Sequence, residues 1–134
     1  MKQNQATLLV VDDESRNLKL LDEILTTAGY KVKPADSGSI AIESALLQPP
    51  DLVILDIKMP QMDGFEVCRR LKSSSRTQDV PIIFVSGLNS VSVKLEGFAA
   101  GGVDFISKPF QEPEVLARVK IHIELRQMQM HLED

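Results

Sequence analysis

Five residues that could do chemistry together stand behind short apolar runs of this chain: Asp12, Asp13, Asp56, Ser86 and Lys108. Three carboxylates in one pocket repel one another, and a bound cation relieves the repulsion. Oxygen ligands without His or Cys select a hard ion, and a few carboxylates with an incoming phosphate are how proteins usually hold magnesium. A carboxylate can then attack phosphorus, while a lysine and a hydroxyl meet the charge on the phosphoryl oxygens. These residue types therefore predict magnesium-dependent formation of an aspartyl phosphate.

Each of the five residues also has a plainer structural interpretation. An aspartate behind a strand often caps a helix or forms a turn, and a serine before a glycine is a common turn residue. A lone lysine is usually solvated. Asp56 is the hardest to explain in this way, because it follows four apolar residues directly. A functional site is favoured because all five residues stand just behind predicted strands, and not because of any one of them.

The apolar runs themselves are typical of strands buried on both faces of a parallel sheet. They occupy residues 7–11, 30–32, 52–55, 82–85 and 103–106, and the two weaker runs suit the edges of the sheet. Helical spacing of apolar residues lies between them. It predicts helices at residues 15–28, 37–47, 65–71, 90–100 and from Pro113 onward.

Five strands alternating with five helices predict an α/β protein: a single three-layer (βα)5 doubly wound parallel sheet with helices on both faces. A length of 134 residues suits one domain. In such sheets ligands bind outside the carboxyl ends of the strands, where the five candidate residues should converge.

Composition excludes several classes of function. The formal charge of -4 argues against direct nucleic-acid binding, because a phosphate backbone demands a basic face. No apolar stretch approaches the length of a membrane span, and no signal peptide is evident, so we expect no membrane insertion and no export. The single cysteine, Cys68, cannot form a disulfide within the chain. A cytoplasmic protein is the expectation.

Four motifs, taken in order, resemble those of the receiver domains of two-component response regulators. They are Val10-Val11-Asp12-Asp13, the run from Leu52 to Asp56 leading into Met59-Pro60-Gln61-Met62-Asp63-Gly64, Val85-Ser86-Gly87, and Phe105-Ile106-Ser107-Lys108-Pro109-Phe110. The resemblance covers about residues 6–125, nearly the whole chain. It implies a flavodoxin-like sheet with the strand order 2-1-3-4-5.

The resemblance also implies a role for each acidic residue. Asp56 looks like the phosphoacceptor, which takes a phosphoryl group from a sensor histidine kinase or a histidine phosphotransfer protein. Asp13 and Asp56, with the backbone carbonyl of Lys58, look like direct Mg²⁺ ligands, and Asp12 like a ligand acting through water. The implied activity is that of a signalling switch, which assists its own phosphorylation and dephosphorylation but is not a turnover enzyme.

The remaining matching residues are implied to transmit the signal. Ser86 is similar to the switch hydroxyl that turns towards the phosphoryl group, Lys108 to the cation that contacts it, and Phe105 to the rotating aromatic switch. The bond before Pro109 is expected to be cis. The motion should reshape the face formed by helix four, strand five and helix five, residues 90–125, and so control an output domain or partner.

Some positions depart from the commonest pattern of the family or tune it. Ser86 replaces the more frequent Thr, which keeps the hydroxyl, and Phe105 replaces Tyr, which loses a hydroxyl but keeps a ring to bury. Lys58 and Leu88 occupy positions that in this family border the route of the attacking water. Our hypothesis is that the apolar Leu88 slows loss of the phosphoryl group.

Two helical segments near the end of the chain carry further expectations. The stripe of Val91, Val93, Leu95 and Phe98 could face a partner, but it is expected in the core, since a helical apolar stripe usually is. The receiver unit is expected to span residues 1–125. Residues 126–134 would extend the last helix, whose apolar seam comprises Leu116, Val119, Ile123 and Met130.

That extension has two interpretations, a frayed tail or a dimer-forming linker to an output domain that follows Asp134. The linker interpretation includes a homodimer. His122 and His131 are expected to be solvated, because their spacing of nine residues does not suit a shared metal ion on one helix.

Three alternative functions are less consistent with the sequence. A haloacid-dehalogenase-like phosphatase would need an Asp-x-Asp pair, whereas Asp12 and Asp13 are adjacent. A flavodoxin-like mononucleotide binder would need a first loop that accepts phosphate, and the acidic segment from Asp12 to Glu14 would repel one. A phosphorylation-independent interaction module would not require the full set of residue types that is present here.

Overall fold

The computed structural model describes residues 6–133 as alternating strands and helices. The strands are β1 (Thr7–Val11), β2 (Lys31–Ala35), β3 (Leu52–Asp56), β4 (Ile82–Ser86) and β5 (Asp104–Ser107). The helices are α1 (Ser15–Thr27), α2 (Gly38–Leu47), α3 (Gly64–Lys72), α4 (Val91–Ala100) and α5 (Glu112–Glu133). All five predicted strands and all five predicted helices are present, with small shifts at their ends.

The strands form one parallel sheet in the order β2-β1-β3-β4-β5, which confirms the expected order. The central strands are almost completely buried, and the weaker sequences β2 and β5 lie at the two edges. β2 lies further along the chain than predicted, at residues 31–35 rather than 30–32, and it includes Pro34. An edge strand tolerates a proline because one side of its backbone has no strand to pair with.

Each face of the sheet carries its own apolar core, as a three-layer architecture requires. Odd and even residues of one strand point to opposite faces, so Leu9 and Val11 belong to one core and Leu8 and Val10 to the other. Helices α2, α3 and α4 contribute to the first core, and α1 and α5 contribute to the second.

Local signals explain where several helices begin and end. Ser37 and Ser90 accept hydrogen bonds from the N–H groups of Ile40 and Val93, so they cap α2 and α4 and each helix begins one residue later than predicted. Gly101, at φ 114°, ends α4 in the left-handed conformation that glycine adopts without steric cost.

The expectation that the apolar stripe of α4 lies in the core is wrong for three of its four residues. Val91, Leu95 and Phe98 are 72%, 63% and 49% exposed, whereas Val93 packs against the core. The inner face of α4 includes the small residues Gly97 and Ala100, and the rings of Phe105 and Phe84 already fill the space beneath Gly97. The larger side chains therefore face outward.

Helix α5 is longer than the sheet that it covers. Val115, Val119 and Ile123 are buried against the sheet, with Leu116 partly buried beside them, so this side of the predicted seam is core. Met130, the last member, is 48% exposed. Arg126 Nη1 donates a hydrogen bond to the carbonyl of Asp79 at 3.0 Å, so contacts with the body extend into the segment 126–134.

Within residues 6–133, none of the helices is both long and apolar enough to cross a lipid bilayer.

Candidate functional site

The three predicted carboxylates meet at the carboxyl edge of the sheet. Asp56 is the last residue of β3, and Asp12 and Asp13 directly follow the neighbouring strand β1. One ligand oxygen from each of the three lies within 4.8 Å of the others. Asp12 and Asp56 are 1% and 3% exposed, while Asp13 faces solvent. The cluster therefore has a buried floor and an open side.

Burial sets the electrostatics of this cluster. Loss of solvation raises the pKa of Asp56 from its ordinary 3.8 to about 6, and the negative charges of Asp12 and Asp13 add to the rise. Burial also raises the pKa of Asp12, although hydrogen bonds from Glu14 and Asn17 and the charge of Lys108 oppose it. A nearby cation would therefore stabilise the ionised forms of these buried carboxylates.

Lys108 supplies the one ammonium group that the described residues bring into this cluster. Its Nζ lies 3.0 Å from Asp56 Oδ1 and 3.8 Å from Asp12 Oδ2. Burial alone would lower the pKa of Lys108, but the hydrogen bond and charge of Asp56, with the charge of Asp12, raise it. Lys108 therefore stays charged beside the acids. The peptide bond that joins it to Pro109 is cis.

Asp12 is oriented by the start of α1. Its Oδ1 accepts the N–H of Glu14 at 2.9 Å, and its Oδ2 accepts Asn17 Nδ2 at 3.1 Å. The plainer interpretation of Asp12 as a turn former is therefore also correct. Asp12 therefore both forms the turn before α1 and contributes a carboxylate to the cluster with Asp56.

Gly64 packs against the backbone of Asp56, a role that the sequence did not predict. A Cβ built on Gly64 would lie 2.3 Å from the carbonyl oxygen of Asp56, so only glycine fits there. Its N–H donates to the carbonyl of Ile57 at 2.8 Å. The available signal in the sequence was a glycine at the start of a helix, behind the capping residue Asp63.

The loop between Asp56 and Gly64 contains a strained turn. Gln61 has φ 70°, a region that non-glycine residues rarely occupy, and the N–H of Met62 donates to the carbonyl of Pro60 at 2.7 Å. Together these features form a γ-turn of the rare kind with positive φ. Strained backbone of this type persists when the surrounding structure enforces it, often beside functional sites.

Ser86 and Phe105 lie on β4 and β5, the next two strands of the sheet after the one that carries Asp56. Ser86 ends β4 and is 8% exposed, and its Oγ accepts the N–H of Leu88 at 2.9 Å. The centroid of the Phe105 ring in β5 lies 5.5 Å from that of Phe84, with the rings tilted, and 5.4 Å from that of Phe98, in an edge-to-face arrangement. A cavity of about 230 Å³ connects the side chain of Ser86 with that of Phe105.

Lys58 and Leu88 border a separate groove. With Met59 and Val93 they line an open, largely apolar cleft of about 540 Å³ beside the loop that follows β3. The side chain of Lys58 is exposed. The predicted roles of the Lys58 carbonyl as a metal ligand and of Leu88 in phosphoryl lifetime stay predictions.

A second polar cluster, which we did not predict, joins β5 to α5. Asp104 Oδ1 accepts Arg118 Nη1 and the N–H of Phe105, both at 2.8 Å, and its Oδ2 lies 2.9 Å from His122 Nε2. The expectation that His122 is solvated is wrong, since its side chain is 14% exposed and paired. Burial would raise the pKa of Asp104, but the hydrogen bonds from His122, Phe105 and Arg118 lower it. No sequence signal marks this cluster, because its members lie far apart along the chain.

The acidic cluster fits the magnesium ion that the sequence predicted. Its donors are carboxylate oxygens, without His or Cys, and a hard divalent cation prefers such ligands. Burial, with the charges of Asp12 and Asp13, raises the pKa of Asp56 even though Lys108 opposes the rise, so a further cation would stabilise the ionised carboxylate. The exposure of Asp13 leaves a route for an ion or a phosphate from solvent.

Comparison with known proteins gives a consistent result. The amino-acid sequence matches the response regulator receiver domain over residues 8–120. The response regulator PleD of Caulobacter vibrioides is 38% identical over 115 residues, which are 86% of this chain and 25% of PleD. The DNA-binding dual master transcriptional regulator RpaA of Synechocystis sp. is 38% identical over 113 residues, 84% of this chain and 47% of RpaA. The chain thus spans between a quarter and a half of the length of these two relatives.

Solved structures agree with the sequence comparison. The chemotaxis protein CheY4 of Vibrio cholerae superimposes with a TM-score of 0.84 at 31% identity, covering 87% of this chain and 97% of CheY4. The receiver domain of the sensor histidine kinase PA1611 from Pseudomonas aeruginosa has a magnesium ion coordinated in its active site cleft. It superimposes with a TM-score of 0.84 at 26% identity and covers 90% of this chain and 98% of that domain.

Proposed function

This chain belongs to the family of response regulator receiver domains, and on that premise we propose that it is a signalling switch phosphorylated on Asp56. Receiver domains of this family are phosphorylation-controlled switches rather than turnover enzymes. The observation that carries the proposal is the placement of Asp56 within 3.0 Å of Lys108 and in one cluster with Asp12 and Asp13. A carboxylate in this setting is positioned to accept a phosphoryl group.

The proposed reaction is a displacement at phosphorus. An oxygen of Asp56 forms a bond to phosphorus while the bond from phosphorus to the donor breaks, and the donor's leaving atom keeps the electron pair. Lys108 contacts a phosphoryl oxygen and offsets the charge transferred to Asp56. A Mg²⁺ ion bound by Asp13, Asp56 and the Lys58 carbonyl, with Asp12 acting through water, would neutralise the remaining phosphoryl charge. A sensor histidine kinase or a histidine phosphotransfer protein is the proposed donor.

The proposed response to phosphorylation begins at Ser86. Its hydroxyl gives up its contact with the N–H of Leu88 and turns towards the new phosphoryl oxygens, which are strong acceptors. Phe105 then moves into the cavity that it shares with Ser86. This motion changes the face formed by α4, β5 and α5, where Val91, Leu95 and Phe98 are exposed. Exposed apolar patches of this kind suit a protein partner.

The proposed partner is an output domain or another protein whose activity depends on that face. An output domain joined after Asp134 is one form of it, in keeping with the greater length of PleD and RpaA. The net charge of -4 disfavours direct contact of this chain with nucleic acid.

We further propose that α5 supports a homodimer through a seam different from the one the sequence suggested. Four exposed residues on α5 follow the 4-3-4 spacing of a heptad repeat. They are Ile121, Leu125, Met128 and Leu132, which are 52%, 54%, 61% and 83% exposed. A second copy of the chain would cover an otherwise solvated apolar row.

The decisive experiment is incubation of the chain with a small phosphodonor and Mg²⁺, followed by intact-mass measurement. We expect the mass to increase by a single phosphoryl group, and we expect no increase with Asp56→Asn or after chelation of the metal. Asp36→Asn is the matched control, because Asp36 directly follows β2 at the same edge of the sheet but is exposed. Repeated turnover of the donor without a stable adduct would favour a phosphatase. No reaction at all would favour a phosphorylation-independent interaction module.

A further inference from the structure

We propose that His122 is a positioning residue for the Phe105 switch and acts on it through Asp104. The inference rests on the proposed function and adds to it a connection between α5 and the switch. It is carried by a chain of contacts from His122 Nε2 to Asp104 Oδ2 at 2.9 Å and from Asp104 Oδ1 to the N–H of Phe105 at 2.8 Å.

The contacts place the restraint directly at the switch. Asp104 is the residue before Phe105, and its carboxylate accepts the backbone N–H of Phe105 itself. β5 is an edge strand with only β4 beside it in the sheet. Arg118 and His122 of α5 add side-chain contacts to Asp104 at the start of this strand.

Two donors from α5 hold the Asp104 carboxylate, and they differ in burial. Arg118 bonds to Oδ1 at 2.8 Å, but its side chain is 40% exposed and is shared with Glu114 at 3.3 Å. His122 bonds to Oδ2 and is only 14% exposed. A buried hydrogen bond competes less with water than an exposed ion pair does, so His122 is the firmer of the two restraints.

The same cluster borders the space into which the switch would move. The ring of Phe105 is confined on one side by Gly97, where a Cβ would lie 2.5 Å from the ring. The cavity of about 230 Å³ is lined by Ser86, Phe105, Asp104 and Arg118. A ring that moves into this cavity would therefore share it with Asp104 and Arg118.

The cluster therefore favours the arrangement described above, in which the Ser86 hydroxyl is bonded to the N–H of Leu88. An interaction made in one arrangement lowers its free energy relative to the other, so its loss shifts the population towards the other. Removal of the His122 donor should free Phe105 and favour the arrangement that receives the phosphoryl group.

The test compares the initial rate of phosphorylation by a small phosphodonor in His122→Leu, His122→Gln and Asp104→Asn. We expect His122→Leu to be faster than the unaltered chain by about threefold to tenfold, the factor associated with loss of one hydrogen bond. His122→Gln keeps an N–H donor and should restore the original rate. His131→Leu is the matched control, since His131 is an exposed histidine on the same helix.

A second measurement separates positioning from general stability. Hydrogen exchange at the Phe105 amide should accelerate in His122→Leu and in Asp104→Asn, and the double variant should be no faster than either one. Equal or slower phosphorylation in His122→Leu, or a failure of Gln to restore the rate, would overturn the inference while leaving phosphorylation itself intact. Absence of phosphorylation in the unaltered chain would instead overturn the proposed function, and the inference with it.

Discussion

Lys108 Nζ lies 3.0 Å from Asp56 Oδ1, and Asp12 and Asp13 complete a group of three carboxylates that this one ammonium group cannot neutralise. Asp56 is almost completely buried, and burial raises its pKa to about 6. An ionised carboxylate at Asp56 therefore lowers the stability of the folded chain. Sites arranged for chemistry rather than for stability commonly have this property.

Asp56→Asn should therefore stabilise the chain in the absence of divalent cations. The substitution removes a charge that burial disfavours and that Asp12 and Asp13 repel, and the change in pKa corresponds to about 2 to 3 kcal/mol at neutral pH. Urea denaturation in the presence of a chelator measures the free energy of unfolding. Asp36→Asn, which alters an exposed carboxylate, should change it little. An equal or lower stability of Asp56→Asn would mean that the cluster is not strained by its charge.

Gly64→Ala should damage both stability and phosphorylation. The added Cβ would lie 2.3 Å from the carbonyl oxygen of Asp56, so the loop or the end of β3 must move. We expect a loss of about 1 to 3 kcal/mol in the free energy of unfolding, typical of overpacking, and slower phosphoryl uptake. Gly87→Ala provides the control, because a Cβ there meets nothing within 4 Å. If Gly64→Ala were as stable and as readily phosphorylated as Gly87→Ala, the close approach of residue 64 to the Asp56 carbonyl would be contradicted.

Gln61→Gly should relieve the strained turn between Pro60 and Met62. Glycine accepts φ 70° freely, whereas a side chain there costs about 1 to 2 kcal/mol, against about 0.5 to 1 kcal/mol for the added freedom of the unfolded chain. The net effect expected is a stabilisation of up to about 1 kcal/mol, measured by chemical denaturation. Gln78→Gly, at a residue without positive φ, should destabilise the chain, and the two substitutions should differ in sign.

Asp104→Asn should lower stability at neutral pH and have little effect in strong acid. Hydrogen bonds from His122, Phe105 and Arg118 hold the pKa of Asp104 below its ordinary 3.8. A lowered folded-state pKa stabilises the chain above the unfolded-state pKa, and this contribution disappears as the pH falls through the folded-state value. The difference in unfolding free energy between the two proteins should therefore shrink below pH 3.8. A difference that does not change with pH would show that the ionised carboxylate is not what matters.

Leu125→Lys should weaken self-association through the seam of α5. A lysine in the centre of the seam should reduce the association constant by about tenfold or more, since burial of a leucine contributes about 1.5 to 3 kcal/mol. Sedimentation at several protein concentrations measures the effect. Leu47→Lys, at a residue 76% exposed on α2, is the control. A loss of dimer with Leu95→Lys but not with Leu125→Lys would move the interface to α4.

The amino-acid sequence by itself determined the alternation of strands and helices and the residues behind each strand. Parallel strands have their carboxyl ends at one edge, so Asp12, Asp56 and Lys108 had to approach one another once the strand order was known. The resemblance supplied that order, because apolar periodicity does not say which strands are neighbours. It also supplied the roles of individual residues, which spacing alone does not reveal.

Only the tertiary structure decided which face of each helix is covered. Periodicity identifies side chains that share a face, but the neighbours that cover it come from distant parts of the chain. Val91, Leu95 and Phe98 therefore proved exposed, since the rings of Phe105 and Phe84 leave no room for a side chain at Gly97 on the inner face. The bond between His122 and Asp104 has the same origin. It exists because α5 lies across the end of an edge strand, a relationship that no local pattern of residues contains.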